Sequence, residues 1–267
     1  MEAPHAARSP LEHRWTIPAI VAAFVCLLYA GTLVFGFVYD DNIQIVDNAW
    51  LTSARYIPRY FTLHVWAFAG VSGVYWRPVF LLWLFVQRAV FGVAPAGWHA
   101  ATILVHGAAT LLVFRLARRL TGDRATAAVV ALIFGIHPAL LESVAWVSGV
   151  SDPLLAVLLI PAFLFYLDWR ELRSGRALAL SAGFYALALM AKEPAIMLLP
   201  ILAAHTLVYG PGGPPFRPGL AEGRDVAHRM RDVFAAVLPY LPLTAVYLVF
   251  HAVVFKRANY VGSSATP

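Results

Sequence analysis

The sequence predicts an all-α membrane protein with about seven transmembrane helices and further helices lying along the membrane surface in a long first outer loop. Three observations carry this expectation. Of the 267 residues, 61% are hydrophobic and only 13% are charged, against roughly 25% charged in a soluble domain, and the mean hydropathy is +0.72. The apolar residues fall in runs of about span length, separated by short polar breaks. Arginines gather at alternate breaks, as the positive-inside rule requires of a multi-pass chain.

Taken in order, residues 1–15 read as a short polar cytoplasmic tail. Residues 16–37 form the first span: at about 1.5 Å per residue they cover the ~30 Å hydrocarbon core. This run is too long for a signal-peptide core and lacks a small-residue cleavage site, so it is read as a retained span. The loop over 38–97 is rich in Trp and Tyr, which suit an interfacial belt of short amphipathic helices, with a turn at Gly70–Gly73. The apolar run 77–92 is either a short span or an interfacial helix.

Loop charge decides between these two readings. If 77–92 lies in the interface, the spans are 16–37, 98–119, 125–138, 153–169, 177–191, 194–209 and 233–255. Twelve basic residues then fall inside, among them Arg118, Arg119, Arg124, Arg170, Arg173 and Arg176, against seven outside. If 77–92 crosses, the arginine-rich loops all face out, which the positive-inside rule disfavours. The expected topology therefore has seven spans, the N-terminus in and the C-terminus out. The short 125–138 run is expected to extend through Leu140 and Leu141 or to sit in a thinned bilayer. Lys192-Glu193-Pro194 breaks the apolar stretch 177–209 into two helices. Residues 210–232 read as a Pro/Gly/Arg-rich cytoplasmic linker. Residues 256–267 read as an outer tail whose loop-like end suggests a truncated chain.

Several function classes are excluded at this stage. The net charge of +6 is spread over short loops without a basic face interleaved with aromatics, so nucleic acid is not an expected partner. A single cysteine, Cys26, rules out an internal disulfide. No glycine-rich phosphate loop occurs.

The expected topology gathers Asp40, Asp41, Arg77, His99, His137, Glu142, Asp152, Lys192 and Glu193 at the outer face, from five separate junctions. Acids and cations converging at one depth suit a lipid-linked phosphate substrate. Carboxylates act there as general base or metal ligand, and Arg and Lys neutralise phosphate. Each residue also has a purely structural reading. Asp40-Asp41 could cap a helix or pair with Arg55 or Arg77, and His137-Pro138 could simply end one. His99 and His106, seven apart on one helical face, fit core histidines better than metal ligands.

In order, the chain carries Tyr39-Asp40-Asp41 with Ile43 and Asn48, then Tyr75-Trp76-Arg77-Pro78, then Gly97-Trp98-His99 with His106. His137-Pro138, Glu142-Ser143-Val144-Ala145-Trp146-Val147-Ser148-Gly149, Asp152 and Lys192-Glu193 follow. This series, over about residues 37–200, resembles the membrane-embedded GT-C glycosyltransferases. It is most similar to the N-terminal region of the transmembrane O-mannosyltransferases with tetratricopeptide repeats and to their bacterial relatives. Two positions depart from the pattern: Val150 stands where the family has a basic residue, and Thr102 where it has Asn.

The resemblance implies a GT-C-type module of seven spans whose long first outer loop bears the acidic pair. It also implies inverting transfer of a monosaccharide such as mannose from a polyprenyl-phosphate donor to an acceptor hydroxyl. The acceptor would be a protein Ser or Thr, or a glycan. Asp40 or Asp41 would be the base. Arg77, His99, His137, Glu142, Asp152, Lys192 and Glu193 would bind substrate, and Asp40 with Asp41 would be the candidates to hold a divalent cation such as Mg or Mn. The expected location is a bacterial inner membrane with the site facing the periplasm. A lipid-linked sugar transporter or an inactive assembly subunit are the competing readings. A transporter would show a polar path at the midplane and inverted repeats, neither of which is visible in the sequence.

Overall fold

Proline and glycine punctuate the helices. Pro78 opens one helix and Gly92 follows its end at φ +58°, Pro95 opens the next, and Gly122 closes it at φ +73°. A prolyl N–H is missing where no partner exists anyway, and glycine accepts the left-handed turn that stops a helix. Asp123 and Ser174 cap the helices that start at Arg124 and Gly175, accepting from Thr126 N at 2.6 Å and Ala177 N at 3.3 Å.

The computed structural model describes residues 15–210 and 226–263, with side-chain surroundings for all of these except residues 255 and 257–263. The expected tail at 1–15, apart from Trp15, the middle of the expected linker (211–225) and the last four residues lie outside the described residues. In chain order the α-helices are α1 (Thr16–Tyr29), α2 (Ile57–Thr62), α3 (Pro78–Phe91), α4 (Pro95–Thr121), α5 (Arg124–Ile136) and α6 (Leu141–Ala145). After them come α7 (Ser151–Leu172), α8 (Gly175–Ala191), α9 (Leu198–Tyr209), α10 (Val226–Val237) and α11 (Leu241–Ser263). No strand occurs among the described residues.

Four stretches are long and apolar enough to cross a membrane: Thr16–Val34, Pro95–Thr121, Val147–Leu172 and Val226–Val254. The pair Arg124–Ile136 and Pro138–Ala145, bent by 49°, makes a fifth if it counts as one span. These helices make the chain an integral membrane protein. The structure differs from the expected span list in several places. The 125–138 run does not continue straight through Leu140, because Pro138 breaks it and the chain turns into α6. The helix α8 has 17 residues and α9 has 12, short of a full crossing by length. Residues 226–232 and 256–263 are helical where a linker and a tail were expected.

The bundle packs α1 on α4 and α5, and α4 on α7, which lies along α8. Hydroxyl pairs join neighbours inside the apolar core. Tyr166 Oη meets Thr206 Oγ1 at 2.7 Å between α7 and α9, and Tyr185 Oη meets Thr244 Oγ1 at 2.8 Å between α8 and α11. Such pairs hold helices together where lipid supplies no hydrophobic drive between them. The turns 122–124 and 173–175, with Arg118, Arg119, Arg170 and Arg176 in the helix ends beside them, lie at one end of this bundle. The long loop after α1, the α5–α7 junction and the α8–α9 break lie at the other.

The long loop has its own core. Trp50 and Tyr60 were expected at an interfacial belt, but they are buried with Ile45, Leu51, Val65 and Phe80. Tyr60 Oη donates to Trp50 O at 2.6 Å, and burial pushes its pKa up to about 12. Trp76 anchors the loop's end, donating to Phe61 O at 3.1 Å and stacking on Phe250 of α11 at 5.6 Å.

Candidate active site

At the end of the bundle bearing the long loop, a cavity of about 420 Å³ opens between Asp40 and Gln44 on one side and the 139–152 segment on the other. Each polar side chain reaches it for a local reason. Tyr39 adopts the left-handed region at φ +47°, which turns the chain sharply into a helical turn over 40–46. A bulky residue in that region is strained, and such strain persists where the surroundings hold it. Asn48 closes the turn, donating to Gln44 O at 3.1 Å and accepting from Trp50 N at 3.0 Å.

The acidic pair is divided by this turn. Asp40 is half-buried, lines the cavity and makes no hydrogen bond to the protein. Asp41 is fully buried beneath the wall. Its Oδ1 accepts from Ser148 N at 2.8 Å and Ser148 Oγ at 2.6 Å, and its Oδ2 from Val38 N at 3.2 Å. Ser148 belongs to the cavity lining, so Asp41 holds one wall to the other. The wall is tight at Gly149, where an added Cβ would lie 3.0 Å from Glu142 O and 3.1 Å from Ser143 Cα.

The cations of the cavity are both paired. Arg77 donates through Nε and Nη2 to Glu193, with contacts of 2.9, 3.1 and 2.5 Å. Nη1 of Arg77 has no protein partner. Its guanidinium lies 4.5 Å from the centroid of the Tyr75 ring. Lys192, released from helical geometry at the α8 end, pairs with Asp152 on the first turn of α7, and Ser143 Oγ donates to the other Asp152 oxygen at 3.1 Å. The exposed Glu142 completes the set without a protein partner.

Of the expected site residues, Asp40, Arg77, Glu142, Asp152 and Lys192 line the cavity together, and Glu193 stands behind Arg77. Three do not join them. Asp41 is spent on the wall. His99 is buried one turn inside α4, its ring perpendicular to Phe35 at 6.2 Å, on the α1 side. His137 is exposed at the end of α5, where Nδ1 accepts from Ala139 N at 3.2 Å and caps the turn after Pro138. His106 matches its reading as a core histidine, bonded to Gly135 O at 2.9 Å.

A cation held by Asp40 and Asp41 together does not fit this geometry. Both oxygens of Asp41 already accept hydrogen bonds, and no group of three or more His, Cys, Asp or Glu side chains converges among the described residues.

Gln44, Ser143, Trp146 and Ser148 line the cavity but were given no role from sequence. For Gln44 the signal was available: it stands four residues after Asp40, one helical turn away.

The comparison with known proteins agrees with the motif series. Over 181 residues, 67% of this chain, the sequence is 34% identical to Protein O-mannosyl-transferase Tmtc1 of Drosophila melanogaster. Over 202 residues, 72% of this chain, it is 35% identical to Protein O-mannosyl-transferase Tmtc2 of the same organism. Over 153 residues, 55% of this chain, it is 31% identical to Protein O-mannosyl-transferase TMTC1 of Homo sapiens, where the match covers 17% of that protein. The matches to the two fly proteins each cover 21% of the relative's length. The chain therefore resembles the TMTC protein O-mannosyltransferases over a fraction of their length. No family model matches the chain. No solved structure matches it.

Proposed function

We propose that this chain carries the membrane-embedded catalytic centre of a GT-C-type protein O-glycosyltransferase. It would move mannose, with inversion, from a polyprenyl-phosphate donor to a Ser or Thr hydroxyl. The observation that carries this reading is the cavity itself: a carboxylate with no protein partner, Asp40, faces the same space as Arg77 and Lys192. The name shared by the relatives supports the reaction class and a protein acceptor.

In this reading Asp40 takes the proton of the acceptor hydroxyl as its oxygen attacks the anomeric carbon. The bond from that carbon to the donor phosphate breaks, and the lipid phosphate leaves with the electron pair. Arg77, through Nη1, and Lys192 stabilise the charge that develops on it, an effect worth several kcal/mol where water is excluded. Glu193 and Asp152 keep those two cations in place. Asp41 positions rather than reacts, since its oxygens are occupied.

The reading also places the module as seven spans, with α8 and the Glu193–Tyr209 segment completing the count. The α3 helix would lie along the surface. The arginines at the other end of the bundle support an inward-facing position for that end and an outward-facing cavity. In a bacterial inner membrane that face is the periplasmic one. The test is transfer by purified protein offered a panel of radiolabelled polyprenyl-phosphate sugars and Ser/Thr acceptor peptides. Labelled peptide from the mannosyl donor is the expected result. Retention of all label on the lipid with every donor contradicts the reading.

A further inference from the structure

Two neutral groups in the cavity wall are left unused by this mechanism. Gln44 is 6% exposed, and its Oε1 is buried with no hydrogen-bond partner. Trp146 Nε1 is also buried with no partner. Both residues line the cavity. Burying a polar group without a partner is costly, and native proteins seldom do it without a reason.

The placement is systematic. Gln44 follows Asp40 by four residues within the turn over 40–46. Trp146 follows Glu142 by four, and its backbone N–H donates to Glu142 O at 3.0 Å. Spacing of one helical turn sets each neutral group beside an acid on one face. The cavity thus carries two pairs, each an acid next to an unsatisfied neutral group. The unpartnered atom of Gln44 is an amide oxygen, which accepts, and that of Trp146 is an indole N–H, which donates.

These groups select a kind of ligand. A phosphate offers nothing to an amide oxygen, and a cation offers nothing to an indole N–H. A ligand with several hydroxyls satisfies both, because a hydroxyl donates and accepts. Trp66, partly exposed in the same lining, supplies an apolar surface for the C–H face of a ring.

We infer that Gln44 and Trp146 form a hydroxyl-reading subsite for a monosaccharide ring. Gln44 Oε1 accepts from one ring hydroxyl, and Trp146 Nε1 donates to the oxygen of another. The inference rests on the glycosyltransferase reading for the ring's identity, but binding needs no transfer and is measured apart from it.

The test titrates purified full-length chain with methyl mannoside and its four monodeoxy forms, using wild type, Gln44→Met and Trp146→Phe. Wild type is expected to bind the parent about tenfold more tightly than two of the monodeoxy forms, the scale of one neutral hydrogen bond in a closed site. Gln44→Met should abolish one of these preferences and Trp146→Phe the other, each leaving the remaining preference intact. Trp146→Phe keeps an aromatic ring in the wall, so it reads the N–H rather than the packing. Equal weakening of all five ligands in a variant would show a packing role only and overturn the inference. So would preferences that survive both substitutions, or a wild type that binds none of the ligands. Transfer without hydroxyl preference sinks the subsite alone. Hydroxyl preference without transfer sinks the transferase reading alone.

Discussion

Asp41 and Ser148, 107 residues apart, are joined by two hydrogen bonds to a single oxygen: the Ser148 N–H at 2.8 Å and its hydroxyl at 2.6 Å both donate to Asp41 Oδ1. This contact fastens the turn that carries Asp40 to the segment that carries Glu142 and Asp152. It gives the two adjacent aspartates different duties. In Asp41→Asn, an amide NH₂ facing the Val38 N–H leaves that donor unpaired. The expected cost is roughly 1–3 kcal/mol, seen as a Tm several degrees lower in detergent. Asp40→Asn, at a position with no protein bond, should leave Tm unchanged.

Arg77 and Glu193 tie the end of the long loop to the break between α8 and α9 across 116 residues. Their side chains are 17% and 27% exposed, so solvent screens the pair only in part. A double-mutant cycle with Arg77→Gln and Glu193→Gln should give a coupling of about 1–2 kcal/mol in unfolding free energy. Strict additivity of the two single changes would count against a fixed pair.

His64 supplies a pH dependence. It is buried in the long loop, and an added Cβ on Gly73 would lie 2.5 Å from its Nδ1. Burial holds its pKa below the ordinary value of 6.5, so the folded state favours the neutral ring. Its contribution to stability is complete above the unfolded value and declines as pH falls below it. The amides of the loop over 63–76 should therefore lose protection, measured relative to their intrinsic exchange rates, between pH 7.5 and 5.5, and His64→Gln should flatten that change. Protection factors that are independent of pH in wild type would show that His64 does not couple to the loop.

Lys192 and Asp152 form an ion pair at the cavity, and in the proposed reaction the first would supply charge and the second would place it. In the proposed reaction Lys192→Met removes a cation that would face the leaving phosphate, and should lower kcat by about 10²–10³. Asp152→Asn keeps the cation but loosens it, and a smaller loss is expected. Matching losses in the two variants would place the role in the pair's structure instead.

The sequence carried the helices and the end of the bundle where polar groups meet. It did not carry the fate of each polar residue. Lys192-Glu193-Pro194 announced the break after α8, since proline and two charges cannot continue an apolar helix. Asp40 and Asp41 are indistinguishable as adjacent letters. Only the left-handed Tyr39 and a serine 107 residues away send one to the cavity and the other into the wall. Trp50 and Tyr60 have a composition that suits a membrane interface equally well. Their burial depends on a loop core closed by Phe80 of α3, a contact that no local pattern encodes. His99 and His137 sit in motifs beside the site, yet helix phase turns one toward α1 and a proline makes the other a cap.

In the proposed reaction Asp40 is the base. The most direct test of this is the rate of sugar transfer from polyprenyl-phosphate mannose to a Ser/Thr peptide by purified Asp40→Asn, compared with wild type of equal Tm. A fall of roughly 10²–10⁴ is expected. A folded Asp40→Asn that transfers at the wild-type rate would contradict it.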